Sequence, residues 1–144
     1  ANAGVAVRLL DVTPEAARAG LARASALKPD PFFVREASAL ITTGGFDTDL
    51  GSIAGADWIV EAIVERLDVK QALFARVEPL RAAHAVVSSN TSGIPIGALA
   101  EGRGPEFRRH FLGTHFFNPP RYLRLLEIIP TPETDPQVVA WVSH

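Results

Sequence analysis

Short apolar runs that end on polar or ionisable residues recur along the chain. Residues 5–11 (VAVRLLD) suit a buried parallel strand. Residues 58–64 (WIVEAIV), 85–89 (AVVSS), 111–116 (FLGTHF) and 123–129 (LRLLEII) read as further strands. Helical signals lie between them. Thr13-Pro14-Glu15 places a capping hydroxyl before proline at a first helical position, and Ala17, Leu21, Ala24 and Lys28 would form the inner stripe. Residues 28–33 (KPDPFF) break that helix. Residues 36–41 are expected to be helical, with 41–43 a short strand before Gly44-Gly45. Residues 68–78 predict a helix with Val69, Leu73 and Val77 on one face, ended or kinked by Pro79. From Asn90 to about Pro105 the glycine and proline content predicts loop.

Strands alternating with helices indicate an α/β fold with a doubly wound, mostly parallel sheet. The last two strands are joined by about seven residues, too few for a parallel crossover, so they should pair antiparallel at a sheet edge. Asp135-Pro136 is a good helix start, which leaves residues 1–134 as one domain and 135–144 as the beginning of a following helix. Both ends read as truncated. The first residues, Ala1 to Gly4, look like the end of a helix with glycine just past it, and the last helix has barely two turns.

Composition narrows the function classes. At 144 residues the chain suits one domain, and 47% hydrophobic with 21% charged residues is ordinary for a globular protein. A net charge of -2, with the charges scattered, gives no broad attraction to nucleic acid or to anionic membrane. There are no cysteines, so disulfides and thiolate metal sites are excluded. The four histidines show no metal-ligand spacing, and no metal site is expected. No apolar run approaches the roughly 20 residues of a membrane span, and no secretory leader is visible, so a cytoplasmic protein is expected.

Three features carry candidate chemistry. Asp11 ends the first strand, as does the acid that binds the adenosine ribose in a dinucleotide-binding βαβ unit. That acid lies roughly 20 residues after the glycine-rich phosphate loop, which here would precede residue 1. An acid there favours NAD over NADP; the alternative is a strand-end aspartate capping its own turn. Secondly, Asp11, Glu61 with Glu65, Asn90 with Ser92, and His115 follow successive strands at the edge where α/β sheets bind ligands. Thirdly, His115 and Glu127 are twelve residues apart on the expected antiparallel pair. A carboxylate on one ring nitrogen fixes the tautomer and makes the other a base, as alcohol oxidation requires; the alternative is a half-buried histidine satisfied by backbone. Other features carry less. The sequon Asn90-Thr91-Ser92 lacks a secretory route, and Arg108-Arg109-His110, Arg121 and Arg124 read as solvated faces rather than phosphate contacts. Ser88, Ser89 and Ser92 lack a nucleophile-elbow setting.

The motifs VEAIVE (60–65), Val69-Lys70, SNTS (89–92), HFFNP (115–119) and LEIIPT (126–131) resemble the 3-hydroxyacyl-CoA dehydrogenases, in the family's order and nearly its spacing. The resemblance runs from about Gly4 to the end. It implies a Rossmann-like NAD-binding domain, incomplete at both ends, in an enzyme that oxidises L-3-hydroxyacyl-CoA to 3-oxoacyl-CoA in fatty-acid β-oxidation. By the same resemblance His115 is the catalytic base, Glu127 orients it, and Ser92 binds the substrate hydroxyl. Asp11, Glu65, Lys70, Ser92 and Asn118 fall at cofactor-contacting positions.

An acyl-CoA thioester is then the substrate. A following helical domain would carry a homodimer contact, and fusion to an enoyl-CoA hydratase is common among related chains. The 144 residues alone are expected to show no turnover. Departures fall between Asp11 and Trp58, which is shorter than the family's stretch, and at Gly93, where a second serine is common; the segment before His115 also looks slightly extended. No CoA-contacting residue is carried over there. A non-catalytic Rossmann nucleotide-binding protein and a dehydrogenase of a CoA-free 3-hydroxy acid are the other readings.

Overall fold

The computed structural model describes every residue other than Arg121 and Arg124, so the expectation for those two arginines lies outside the described residues. The chain divides into two compact units, residues 1–52 and 53–144.

In the first unit, β1 (Val7–Asp11) pairs parallel with β2 (Ile41–Gly45), from Val7 opposite Ile41 to Asp11 opposite Gly45. The connection carries α1 (Pro14–Ser25) and a 3-10 helix, Arg35–Leu40. Thr13 caps α1 by accepting from the Ala16 N–H at 3.1 Å, with Pro14 pre-set for the first turn. Ala17 is buried, and Leu21 and Ala24 are half-buried, as the stripe predicts. Lys28 is exposed instead, because the helix ends at Ser25. Gly45 is close to the start of α1; a Cβ there would lie 2.7 Å from Pro14 Cδ. A four-residue helix, α2 (Phe46–Asp49), follows, and Asp49 accepts from Arg8 at 2.7 Å and from the Gly45 N–H at 2.9 Å.

The second unit holds a four-stranded sheet in the order β3 (Trp58–Glu61), β4 (Val86–Ser89), β5 (Phe111–Phe116), β6 (Leu126–Pro130). The first three strands are parallel and β6 is antiparallel, the arrangement expected from the short β5–β6 connection.

Helices cover both faces of this sheet, and neighbouring residues of β5 show why. Phe111 and Leu112 point to opposite faces. Phe111 packs with Phe74 of α3 (Leu67–Val77) and Phe107 of α5 (Pro105–Arg109), at centroid distances of 5.1 and 5.4 Å. Leu112 packs instead with Val86 and with Val138 of α6 (Pro136–Val142), flanked by Trp58, Ile128 and Val142. Asp135 caps α6 by accepting from the Gln137 N–H at 2.9 Å. The central strand β4 is buried along its whole length, as a parallel strand covered on both faces must be. Among the described residues no helix is long and apolar enough to cross a membrane.

Four further expectations are corrected. The strand expected over 58–64 stops at Glu61, whose carboxylate accepts from the Ile63 N–H at 2.6 Å and turns the chain out of the sheet. The last strand begins at Leu126 rather than 123 and runs to Pro130. The inner face of α3 is Lys70, Phe74 and Val77, with Val69 and Leu73 only half-buried, because Lys70 is drawn inward by ion pairs. The segment read as loop from 90 to about 105 contains a short helix, α4 (Ile96–Leu99), that buries Ile96 and Leu99.

Candidate active site

Register sets the strand-borne polar residues of the second unit along one face. Glu61 on β3 is opposite Ser89 on β4, which is opposite Gly113 on β5, which is opposite Ile129 on β6. Residues two apart on a strand share a face, so His115 and its partner Glu127 lie one step further along that same face. Gly113 leaves room for α4: a Cβ there would sit 2.6 Å from Ile96 Cδ1.

His115 Nδ1 is 2.9 Å from Glu127 Oε2. An ionised carboxylate only accepts, so Nδ1 carries the hydrogen and Nε2 presents a lone pair. The Ser92 hydroxyl, 3.2 Å from Nε2, then donates to it. The imidazole also contacts the Phe117 ring, 5.0 Å between centroids. Its side chain is 27% exposed, partly shielded yet open to a ligand. Asn90 steadies this region by accepting the Phe116 N–H at 2.9 Å, while its own N–H donates to the Glu61 carbonyl.

The Ser92 loop is held from below by Glu65. Glu65 Oε1 accepts from the Thr91 hydroxyl, from the Ser92 N–H at 3.0 Å and from the Gly93 N–H at 3.1 Å. These bonds, the Thr91 hydroxyl first, hold its carboxyl down at a pKa of about 2 against the partial desolvation that raises it; the Lys70 ammonium adds to them. Lys70 is 1% exposed, and its Nζ lies 2.7 Å from Glu61 Oε1 and 3.2 Å from Glu65 Oε2. Glu61 is also buried, and its second oxygen accepts from the Ser89 hydroxyl. Thus Ser92, His115, Glu127, Glu65 and Lys70 come together in one polar network.

The remaining candidates are placed differently. Asn118 is exposed in the loop after β5 and makes no hydrogen bond among the described residues. Asp11, in the first unit, accepts from the Val12 N–H at 2.7 Å through Oδ1, the turn-capping geometry; its Oδ2 has no hydrogen-bond partner among the described residues. Ser88 and Ser89 are fully buried, Ser88 accepting from Trp58 Nε1 and the Thr114 hydroxyl. Arg108 and Arg109 pair with Glu133 and Asp135. Sequence reasoning gave no role to Thr91 and none beyond position to Glu61. The available signal was polar residues interrupting apolar strands, since a buried polar side chain must find partners.

An NAD molecule is tested against these residues by their chemistry. Within the first unit, the second oxygen of Asp11 suits ribose hydroxyls and repels a 2′-phosphate. Within the second unit, taken by itself, hydroxyl, imidazole and carboxylate groups stand at the carboxyl ends of parallel strands. The donor set fits.

Comparison with known proteins agrees. The family model described as 3-hydroxyacyl-CoA dehydrogenase, NAD binding domain, matches residues 1–144. A probable 3-hydroxyacyl-CoA dehydrogenase of Deinococcus radiodurans is 47% identical over 146 residues, spanning 96% of this chain and 42% of that protein. One from Bacillus subtilis is 42% identical over 164 residues, spanning 99% of this chain and 21% of that protein. The crystal structure of 3-hydroxybutyryl-CoA dehydrogenase from Escherichia coli K12 superposes with a TM-score of 0.78 at 30% identity, over 95% of this chain and 30% of that one. This chain therefore spans less than half the length of these relatives, and it belongs to the 3-hydroxyacyl-CoA dehydrogenase family as its NAD-binding domain.

Proposed function

We propose that the full chain oxidises an L-3-hydroxyacyl-CoA to the 3-oxoacyl-CoA, with His115 as the base. The observation that carries this reading is the imidazole held between Glu127 at 2.9 Å and Ser92 at 3.2 Å. NAD, when bound, supplies the acceptor for the hydride that leaves C3. Nε2 of His115 takes the hydroxyl proton as the C–O double bond forms. The Glu127 carboxylate fixes the ring and stabilises the imidazolium. Ser92 turns its hydroxyl from Nε2 to the substrate oxygen and orients that oxygen toward the base. On the cofactor side, Asp11 would hold the adenosine ribose and Asn118 would lie near the nicotinamide, while Ser92 and Glu65 would contact the cofactor, with Lys70 acting through Glu65.

Replacing His115 by Gln in the full chain should lower kcat by about 10² to 10⁴, since general-base catalysis contributes that much. The assay follows NADH absorbance with the acyl-CoA and, separately, with the free 3-hydroxy acid. Full activity of His115→Gln removes His115 from the mechanism. Turnover of the free acid alone favours a CoA-free substrate, and no turnover of either favours a binding protein.

A further inference from the structure

Glu61 lies outside the reacting groups, yet its burial and its partners connect it to them. Its side chain is 1% exposed, and an isolated carboxylate at such a position is costly unless paired and hydrogen-bonded. Three donors converge on it: Lys70 Nζ at 2.7 Å, the Ile63 N–H at 2.6 Å, and the Ser89 hydroxyl. The ammonium it holds continues to the Ile63 carbonyl at 3.4 Å and to Glu65 Oε2 at 3.2 Å. The turn that leaves β3 is thus gathered around one buried cation. Glu65, at the far end of that turn, has its other oxygen on the backbone N–H groups of Ser92 and Gly93. Ser92 is the residue whose hydroxyl meets His115 Nε2.

We propose that Glu61 is a positioning residue for the reaction, fixing Ser92 against His115 through Lys70 and Glu65. This inference rests on the dehydrogenase reading for its kinetic consequence but not for its geometry. Among the described residues Glu61 has no hydrogen bond or ion pair to Ser92 or His115, so its influence must pass along the chain of contacts. Without its carboxylate, Lys70 has only Glu65 as an ionic partner among the described residues. The ammonium then moves toward Glu65, and the Ser92 loop moves with that carboxylate. A displacement near 1 Å at the reacting groups can cost about a hundredfold in rate.

The test uses the full chain and the four proteins of a double-mutant cycle: wild type, Glu61→Gln, Ser92→Ala and both together. Glutamine keeps the shape of Glu61 and removes its charge. Glu61→Gln should lower kcat by about tenfold to a hundredfold when Ser92 is intact and by less than about twofold in the Ser92→Ala background. Equal losses in both backgrounds indicate general weakening of the fold and overturn the proposal, as does an unchanged rate. A second readout needs no turnover. The ¹⁵N shift of His115 Nε2 should move alike in Glu61→Gln and Ser92→Ala, because both lose the same hydrogen bond; a wild-type shift in Glu61→Gln overturns the proposal. If the wild-type chain fails to oxidise the thioester, the dehydrogenase reading falls while this shift still decides the positioning role. Should Glu61→Gln not fold, Ser89→Ala removes one donor from Glu61 and leaves its charge. It should move the same nitrogen in the same direction, and no movement overturns the proposal.

Discussion

Replacing Lys70 by methionine keeps the bulk of a buried side chain and deletes its charge. Lys70 and Glu61 are each 1% exposed, so the variant leaves a carboxylate in the interior with two neutral donors and no cation beside it. Removing one partner of a buried ion pair costs about 3 to 5 kcal/mol. Proton uptake by the stranded carboxyl sets a ceiling. At pH 7 that uptake costs about 3.7 kcal/mol, from about 1.36 kcal/mol per pH unit above an ordinary glutamate value near 4.3. The expected loss at pH 7 is therefore about 3 to 4 kcal/mol, a large share of the roughly 5 to 15 kcal/mol that stabilises a domain. The sign with pH follows from linkage: the folded variant binds a proton that its unfolded form has released, so its stability falls as pH rises. The loss should grow by up to about 1.4 kcal/mol per unit between about pH 5 and 7. Equilibrium urea denaturation measures it, with Trp58 and Trp141, 6.2 Å apart, as fluorescent reporters within the same unit. The double variant Lys70→Met/Glu61→Gln, with no charge to strand, should recover much of the loss. A loss below about 1 kcal/mol, or one that does not change with pH, would refute a buried and charge-dependent Lys70.

Glu65 is held ionised down to a pKa of about 2, mainly by the Thr91 hydroxyl, from an ordinary value of 4.5, so its stabilisation is complete above about 4.5 and is lost as pH falls through about 2. The stability gap between wild type and Glu65→Gln should shrink over that window; a gap constant with pH contradicts this. Glu127→Gln deletes a carboxylate 2.9 Å from the imidazole. Two charges about 4 Å apart interact by about 1 kcal/mol in water and about 4 kcal/mol near a protein surface. Glu127 is 52% exposed, which places the effect toward the lower value, so kcat should fall about tenfold; unchanged turnover removes Glu127 from the mechanism. In Gly113→Ala the new methyl would lie 2.6 Å from Ile96 Cδ1 and 3.2 Å from Ile129 Cβ. Thermal denaturation should show a loss of about 1 to 3 kcal/mol, relieved by adding Ile96→Val, and no loss would show that α4 yields freely.

The parts of this site legible in the sequence are those where a strand pattern and a connection length act together. The β5–β6 connection is too short for a crossover, which dictates an antiparallel pair and allows His115 to meet Glu127. The meeting of Ser92 with His115 rested on resemblance, because a loop position after β4 has no periodicity to orient it. The inner face of α3 differs from the expected one for a definite reason. A lysine is rarely buried unless paired, and the carboxylates of Glu61, at the end of β3, and Glu65, in the turn before the helix, supply the partners that no helical period shows. The helices α4 and α5 are too short to show a hydrophobic period, so glycine and proline dominated the reading of their segment. At Asp11 the turn-capping geometry is the one present, one oxygen accepting from the Val12 N–H.

The network also explains why a costly buried ion pair suits this position. Strand pairing sets Glu61 opposite Ser89, and Ser89 opposite Gly113, but it does not fix the loops beyond the strand ends. A slip of one residue would turn every one of these side chains to the opposite face of the sheet. Apolar packing between Phe74, Phe107 and Phe111 holds α3 and α5 on the sheet without directionality, and cannot by itself prescribe where the Ser92 loop sits to a few tenths of an ångström. Directional contacts can. Glu61, Lys70 and Glu65 convert the fixed register of β3 into a fixed position for the backbone N–H groups of Ser92 and Gly93. The opposing strand β6 fixes His115 through Glu127. The serine and the imidazole are thus located from two different strands, and the 3.2 Å between them is set by the sheet rather than by either loop.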